Sequence, residues 1–166
     1  MSEKFALEAA VKVALSSGDV KMASELLGHL YSLTGTVISG SRLGRTLGFP
    51  TANLEIVNEE MLLPAFGVYA VFVKIDSGLF RAVSNIGTRP TVDGNLIAFE
   101  VHLLRYCGDL YGKKAEVFFL DRIRNERRFS NTGELISQIR RDIETAEALF
   151  ANWNKTNSNS INPLCF

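Results

Sequence analysis

The sequence predicts a mainly β domain, an antiparallel sheet or closed barrel, with a long helix near its C-terminus and short helices at its N-terminus. Three observations predict it. Runs of strand length, rich in β-branched and aromatic residues, recur at Thr34–Ser39, Val68–Ile75, Leu79–Ser84, Ile97–Leu104 and Lys114–Leu120. The connections between them are of hairpin or modest length, without the helical crossovers of about a dozen residues that parallel strands need. One long apolar stripe at helical spacing, from Leu135 to Trp153, comes last. Closing the sheet would remove its exposed edges, but periodicity alone does not separate a barrel from an open sandwich.

In chain order, residues 5–15 are helix formers, interrupted by Ser16-Ser17-Gly18-Asp19. Asp19 is a helix cap, Ala23, Leu26, Leu27 and Leu30 supply an apolar face behind it, and Gly28 ends the helix. Two helices this short need a larger body to dock on. A glycine-rich loop runs from Gly40 to Gly48, and Asp76-Ser77-Gly78 and Asp93-Gly94 are hairpin turns. Asn85 to Thr91, with Gly87 and Pro90 inside it, reads as a polar loop between strands. Asn131 and Glu134 form a capping box for the last helix, whose apolar stripe is Leu135, Ile139, Ile143, Ala146, Phe150 and Trp153. From Asn154 to the end the chain is polar enough to be a flexible tail.

The bulk properties narrow the function. With 166 residues, 46% hydrophobic and 22% charged, the chain suits one soluble domain with a true core. Its net charge of zero gives no general attraction to nucleic acid or to an anionic membrane. Cys107 and Cys165 make neither a disulfide framework nor a zinc spacing, and the first residues lack a secretory signal. A cytoplasmic protein without membrane or nucleic-acid partners is the expectation.

The densest chemical signal is Gly40 to Leu54. Gly40, Gly44 and Gly48 allow a tight backbone with amides turned toward phosphate oxygens, although the Gly-Lys-Ser/Thr ending of a P-loop is absent. Thr51 and Asn53 offer hard oxygen ligands suited to a nucleotide-bound magnesium; a purely structural turn is the alternative. In the strand Ile97–Leu104, alternation puts Glu100, His102 and Leu104 on one face and Phe99, Val101 and Leu103 on the other. Either Glu100 or His102 could take a proton from an alcohol if that face lines a cleft; otherwise it faces solvent. Arg89 supplies positive charge that either closes over a substrate or makes a surface ion pair, and Tyr111 either meets a planar ligand or covers the core. Arg124 to Phe129 is charge-dense, and its arginines either neutralise neighbouring carboxylates or reach a phosphate.

Taken together, six runs resemble the riboflavin kinase family, in the family's order, over roughly residues 31–151. They are Gly44–Leu54, Gly67–Val71, Asn85–Thr91, Phe99–His102, Gly108–Lys113 and Arg124–Phe129. The resemblance implies a six-stranded Greek-key barrel with the long helix beside it. It implies riboflavin and MgATP as substrates, with Thr51 and Asn53 holding magnesium on ATP and Gly44 and Gly48 in the loop around the nucleotide. Glu100 corresponds to the family's catalytic base. Asn85 to Thr91, including Asn85 and Arg89, looks like a mobile flap, Tyr111 falls in another family motif, and Arg124 to Phe129 is similar to the segment that contacts flavin. One departure is Arg105, which stands where the bacterial pattern usually has an acid.

Residues 1–28 resemble the junction that follows the FMN adenylyltransferase domain in bifunctional bacterial enzymes. The expected division is therefore 1–28 as that junction, 29–153 as the kinase domain and 154–166 as the tail, with an adenylyltransferase domain as a fused or separate partner. A non-catalytic flavin- or nucleotide-binding barrel and a structural interaction domain are the competing accounts. Glu100 together with Thr51-Ala52-Asn53 speaks against the passive binder, which needs neither.

Overall fold

The computed structural model describes residues 3–40, 43–56, 61–91 and 94–157. Two helices, α1 (Glu3–Ser17) and α2 (Val20–Leu27), precede strands β1 (Ser32–Ile38), β2 (Ala52–Ile56), β3 (Gly67–Ile75), β4 (Gly78–Thr91), β5 (Gly94–Leu103) and β6 (Lys114–Asn125). A helical turn, α3 (Leu43–Thr46), lies between β1 and β2, and the long helix α4 (Thr132–Thr156) ends the described chain.

The strands close into a barrel in the order β1-β2-β5-β4-β3-β6, every pairing antiparallel. Strands β3, β4 and β5 form a meander and β6 returns beside β3, which is a Greek key. Alternation works as the sequence implies. Phe99, Val101 and Leu103 enter the barrel interior with Leu33, Tyr69, Val71, Ile86, Val117 and Phe119. Phe119 meets the Tyr69 ring edge-on at 5.4 Å and stacks on Phe99 at 6.0 Å.

A second apolar layer lies outside the barrel, where Ala70, Phe72 and Leu120 pack against Ala146 and Phe150 of α4. Strand β3 is therefore buried on both faces, which accounts for its unbroken apolar run. Its pairing with β6 skips a residue twice, at Leu120 and Ile123, and both extra side chains join the outer layer under α4. The N-terminal helices share the barrel's own core through Val11, Ala14, Leu15, Val20 and Ala23. Asp19 caps α2 by accepting from the Met22 amide, and Gly28 ends it at φ 77°.

Three expectations are corrected. Asn85 to Thr91 is not a loop: it is the second half of β4, paired with β5 out to Thr91 opposite Gly94. Gly87 lies within that strand, where a Cβ would meet the Glu126 carboxylate, and glycine within a strand often marks such close approach. Strand β2 was not visible in the chain's patterning; it is short and takes its place from pairing with β1 and β5. Helix α4 continues past Trp153 to Thr156, held by Asn157, whose backbone and side-chain N–H groups both donate to the Trp153 carbonyl. Its start is as expected: the Asn131 side chain accepts from the Glu134 amide at 2.9 Å. Asp93 of the second hairpin turn and the tail from residue 158 lie outside the described residues.

Two outcomes follow from this packing. Phe150 is fully buried between α4 and β3, so Phe150→Ala should destabilise the fold by about 3–5 kcal/mol, read from the urea midpoint. Tyr31 donates its hydroxyl to the Leu62 carbonyl at 2.6 Å, and burial pushes its pKa up to about 12 from 10.0. The unfolded chain therefore ionises first. The contribution of Tyr31 is intact below pH 10 and is lost as pH rises through 10 to about 12, and Tyr31→Phe should flatten that stretch of a stability-against-pH curve.

Candidate functional site

Barrel register places the principal polar residues in one continuous cross-strand row. Ile38, Asn53, Glu100, Asn85, Val68 and Arg124 are successive cross-strand partners around the wall, on β1, β2, β5, β4, β3 and β6 in turn. Directly opposed residues on antiparallel strands sit roughly 5 Å apart at Cα, so Glu100 is flanked by Asn53 on one side and Asn85 on the other.

This row opens on a cavity of about 480 Å³ against the outer face of β3, β4 and β5. Its walls come from three places: the α3 turn with Phe49 and Thr51, the segment Arg124–Phe129, and the first half of α4 through Leu135, Ile139, Asp142 and Ile143. One side is polar around Thr51, Glu100 and Arg89, while the α4 side is largely apolar, a combination typical of pockets that orient a mainly apolar ligand by a few polar groups.

The segment read as a glycine-rich loop holds a single helical turn that folds back on itself. The Phe49 amide donates to the Gly44 carbonyl at 2.7 Å, and Gly48 at φ 87° turns the chain toward Pro50. Gly44 is obligatory in that packing, because a Cβ would collide with the Phe49 carbonyl oxygen and lie 3.2 Å from Thr51 Oγ1. His102 braces the same turn: its Nδ1 donates to the Pro50 carbonyl at 2.7 Å and its ring meets Phe49 edge-on. One nitrogen of His102 is thus committed to structure, whereas Glu100 presents its carboxylate to the cavity.

Asn53 is 8% exposed, with its amide packed where a Cβ of Gly40 would be. Its Oδ1 accepts from Arg89 Nη2 at 3.1 Å, and the same nitrogen donates to Glu100 Oε1. Arg89 therefore does not make an ordinary surface pair; it bridges two groups of the row. Arg124 makes a two-pronged pair with Asp142, Nε to Oδ1 at 2.9 Å and Nη2 to Oδ2 at 2.9 Å, and Gln138 donates to the same carboxylate. Phe129 is flanked by the Arg124 and Arg127 guanidiniums at 5.6 and 5.1 Å.

Of the sequence candidates, Gly44, Thr51, Asn85, Arg89, Glu100, Arg124 and Phe129 line this one cavity, and Asn53 borders it through Arg89 and Glu100. Gly48 lies just outside the lining, and Tyr111 stands apart, 68% exposed on the β5–β6 connection. The apolar wall of α4 and buried Asp142 were missed. Asp142 did leave a signal, since it occupies a slot in the helical spacing from Ile139 to Ala146 where an apolar residue belongs.

The riboflavin kinase (flavokinase) family model matches residues 27–150. The chain belongs to the riboflavin kinase family. It is 44% identical, over 85% of its length, to a bifunctional riboflavin kinase/FMN adenylyltransferase of Haemophilus influenzae, and covers 46% of that protein. The protein of the same name from Escherichia coli K12 is 45% identical, with 85% of this chain and 45% of the relative covered. That from Bacillus subtilis is 38% identical, with 87% and 46% covered. The chain thus spans less than half the length of these relatives. A crystal structure of a macrolide-efflux protein from Streptococcus pneumoniae superposes with a TM-score of 0.79 at 36% identity, covering 88% of this chain and 46% of that one. Its name stays with that protein; among the described residues here, no helix is long and apolar enough to cross a membrane.

The Arg124–Asp142 pair fastens the α4 wall to β6. Asp142→Ala should cost about 3 kcal/mol by leaving a mostly buried guanidinium uncompensated. In a urea-denaturation double-mutant cycle, Arg124→Met with Asp142→Leu should be closer to wild type than Asp142→Ala alone.

Proposed function

We propose that this chain is a riboflavin kinase, transferring the γ-phosphoryl group of ATP to the 5′-hydroxyl of riboflavin to give FMN and ADP. The observation that carries the proposal is the single cavity in which Glu100 and Thr51 face an apolar wall large enough for a planar ring system, within a chain of this family.

In this reading Glu100 orients the ribityl hydroxyl and accepts its proton as the oxygen attacks phosphorus. The hydroxyl oxygen gains the O–P bond, the bond to the bridging oxygen breaks, and ADP leaves with that electron pair. Residues Leu135, Ile139 and Ile143 enclose the ring system and exclude water. Magnesium enters as MgATP. The donor set fits: Thr51 offers a hydroxyl oxygen and Asn53 an amide oxygen that accepts from a cationic group. Two neutral oxygens need phosphate oxygens to complete such a shell. When bound, the metal offsets charge on the phosphates.

The kinase domain would run from residue 29 to 153, with 1–28 corresponding to the end of the relatives' adenylyltransferase half. An adenylyltransferase, fused or separate, would consume the FMN.

Incubating the intact chain with riboflavin and MgATP should yield FMN and ADP in equal amounts, separated chromatographically. Glu100→Gln should lower turnover by ~10²–10⁴ with the fold retained. Flavin binding without FMN would reduce the chain to a passive binder, and undiminished turnover in Glu100→Gln would remove the base from Glu100.

A further inference from the structure

Arg89 has a role that a simple phosphate contact does not describe. A single nitrogen, Nη2, donates to both Asn53 Oδ1 and Glu100 Oε1, which are register partners on neighbouring strands. Two oxygens from two strands thus converge on one positive centre. Arg89 reaches them from further along β4, where its own partner is Leu96, and Gly87 between Asn85 and Arg89 leaves that face of the strand without a side chain of its own.

The pair is neither sealed nor loose. The Arg89 side chain is 37% exposed and that of Glu100 24%, so the guanidinium can leave toward the cavity. Ion pairs this exposed are weak. While it stays, its charge repels a divalent cation approaching Asn53, and it occupies Oε1, one of the two carboxylate oxygens of Glu100.

We propose that Arg89 is a built-in substitute cation. It holds Asn53 and Glu100 converged, bars metal that arrives without nucleotide, and yields its place when MgATP enters, its guanidinium then meeting the phosphates. Arg89 is a positioning residue in this scheme, acting through Asn53 and Glu100. The proposal rests on the kinase reading for the identity of the incoming ligand, but its first consequence involves neither flavin nor turnover.

Manganese(II) without nucleotide is the probe, titrated into the intact chain and followed by the paramagnetic signal of the free ion. Wild type should bind it very weakly, and Arg89→Met about tenfold or more tightly, since one unit charge a few ångströms away is removed. Adding Asn53→Ala to Arg89→Met should abolish the gain, which ties it to this pair of oxygens. Arg89→Lys keeps a charge and should retain most of the exclusion, so it tests the same point with a smaller change to the fold. Equal manganese affinity in wild type and folded Arg89→Met, or a gain in Arg89→Lys as large as in Arg89→Met, would overturn the proposal. A chain that makes no FMN would instead overturn the kinase reading and leave the manganese result standing.

Discussion

The site depends on barrel closure. Strand β6 pairs with β1 on one side and β3 on the other, and that double pairing locks the register of all six strands. A slip of one residue in any strand would send its side chains to the opposite face. Because Asn53, Glu100, Asn85, Val68 and Arg124 come from five different strands, their alignment in one row is a property of the whole sheet's pairing. No local motif could supply it.

The second constraint is the attachment of α4. Its middle buries Ala146 and Phe150 against β3, while its first half is held off the barrel to form a cavity wall. Asp142 marks the change between these two uses of one helix, for here the contact with the barrel is the charged pair with Arg124. A hydrophobic residue in its place would favour collapse of the gap, whereas a hydrogen-bonded pair spans it at a defined distance. The double skip in β6 serves the same end: it feeds Leu120 and Ile123 to the outer layer while keeping Arg124 level with Val68.

Much of this was legible in the chain. Alternation in Ile97–Leu104 separated core from cavity face, because a strand's period of two survives any tertiary context. The caps at Asp19 and Asn131 were legible because they are local hydrogen-bonding events. What stayed hidden was of two kinds. Gly87 and Pro90 carry loop signals, yet pairing with β5 holds them extended, so tertiary contact overrode local preference. Residues Ala52–Ile56 are too short and too mixed to announce a strand, and β1 and β5 impose the conformation. The convergence of Arg89 on Asn53 and Glu100 joins residues 36 and 11 positions apart; nothing in their spacing announces it. Family resemblance had grouped several of these residues, but only the folded chain gives them distances.

The order in which the walls occur along the chain has a consequence for biogenesis. Arg124 lies at the end of β6, the strand that closes the cylinder, and Phe129, Leu135, Ile139 and Asp142 all follow it along the chain. During synthesis, then, a ligand finds no enclosed pocket until β6 and the first half of α4 have left the ribosome. A ligand of that cavity cannot act as a template for the folding of the earlier strands; by mass action it stabilises only copies in which β6 and α4 are in place.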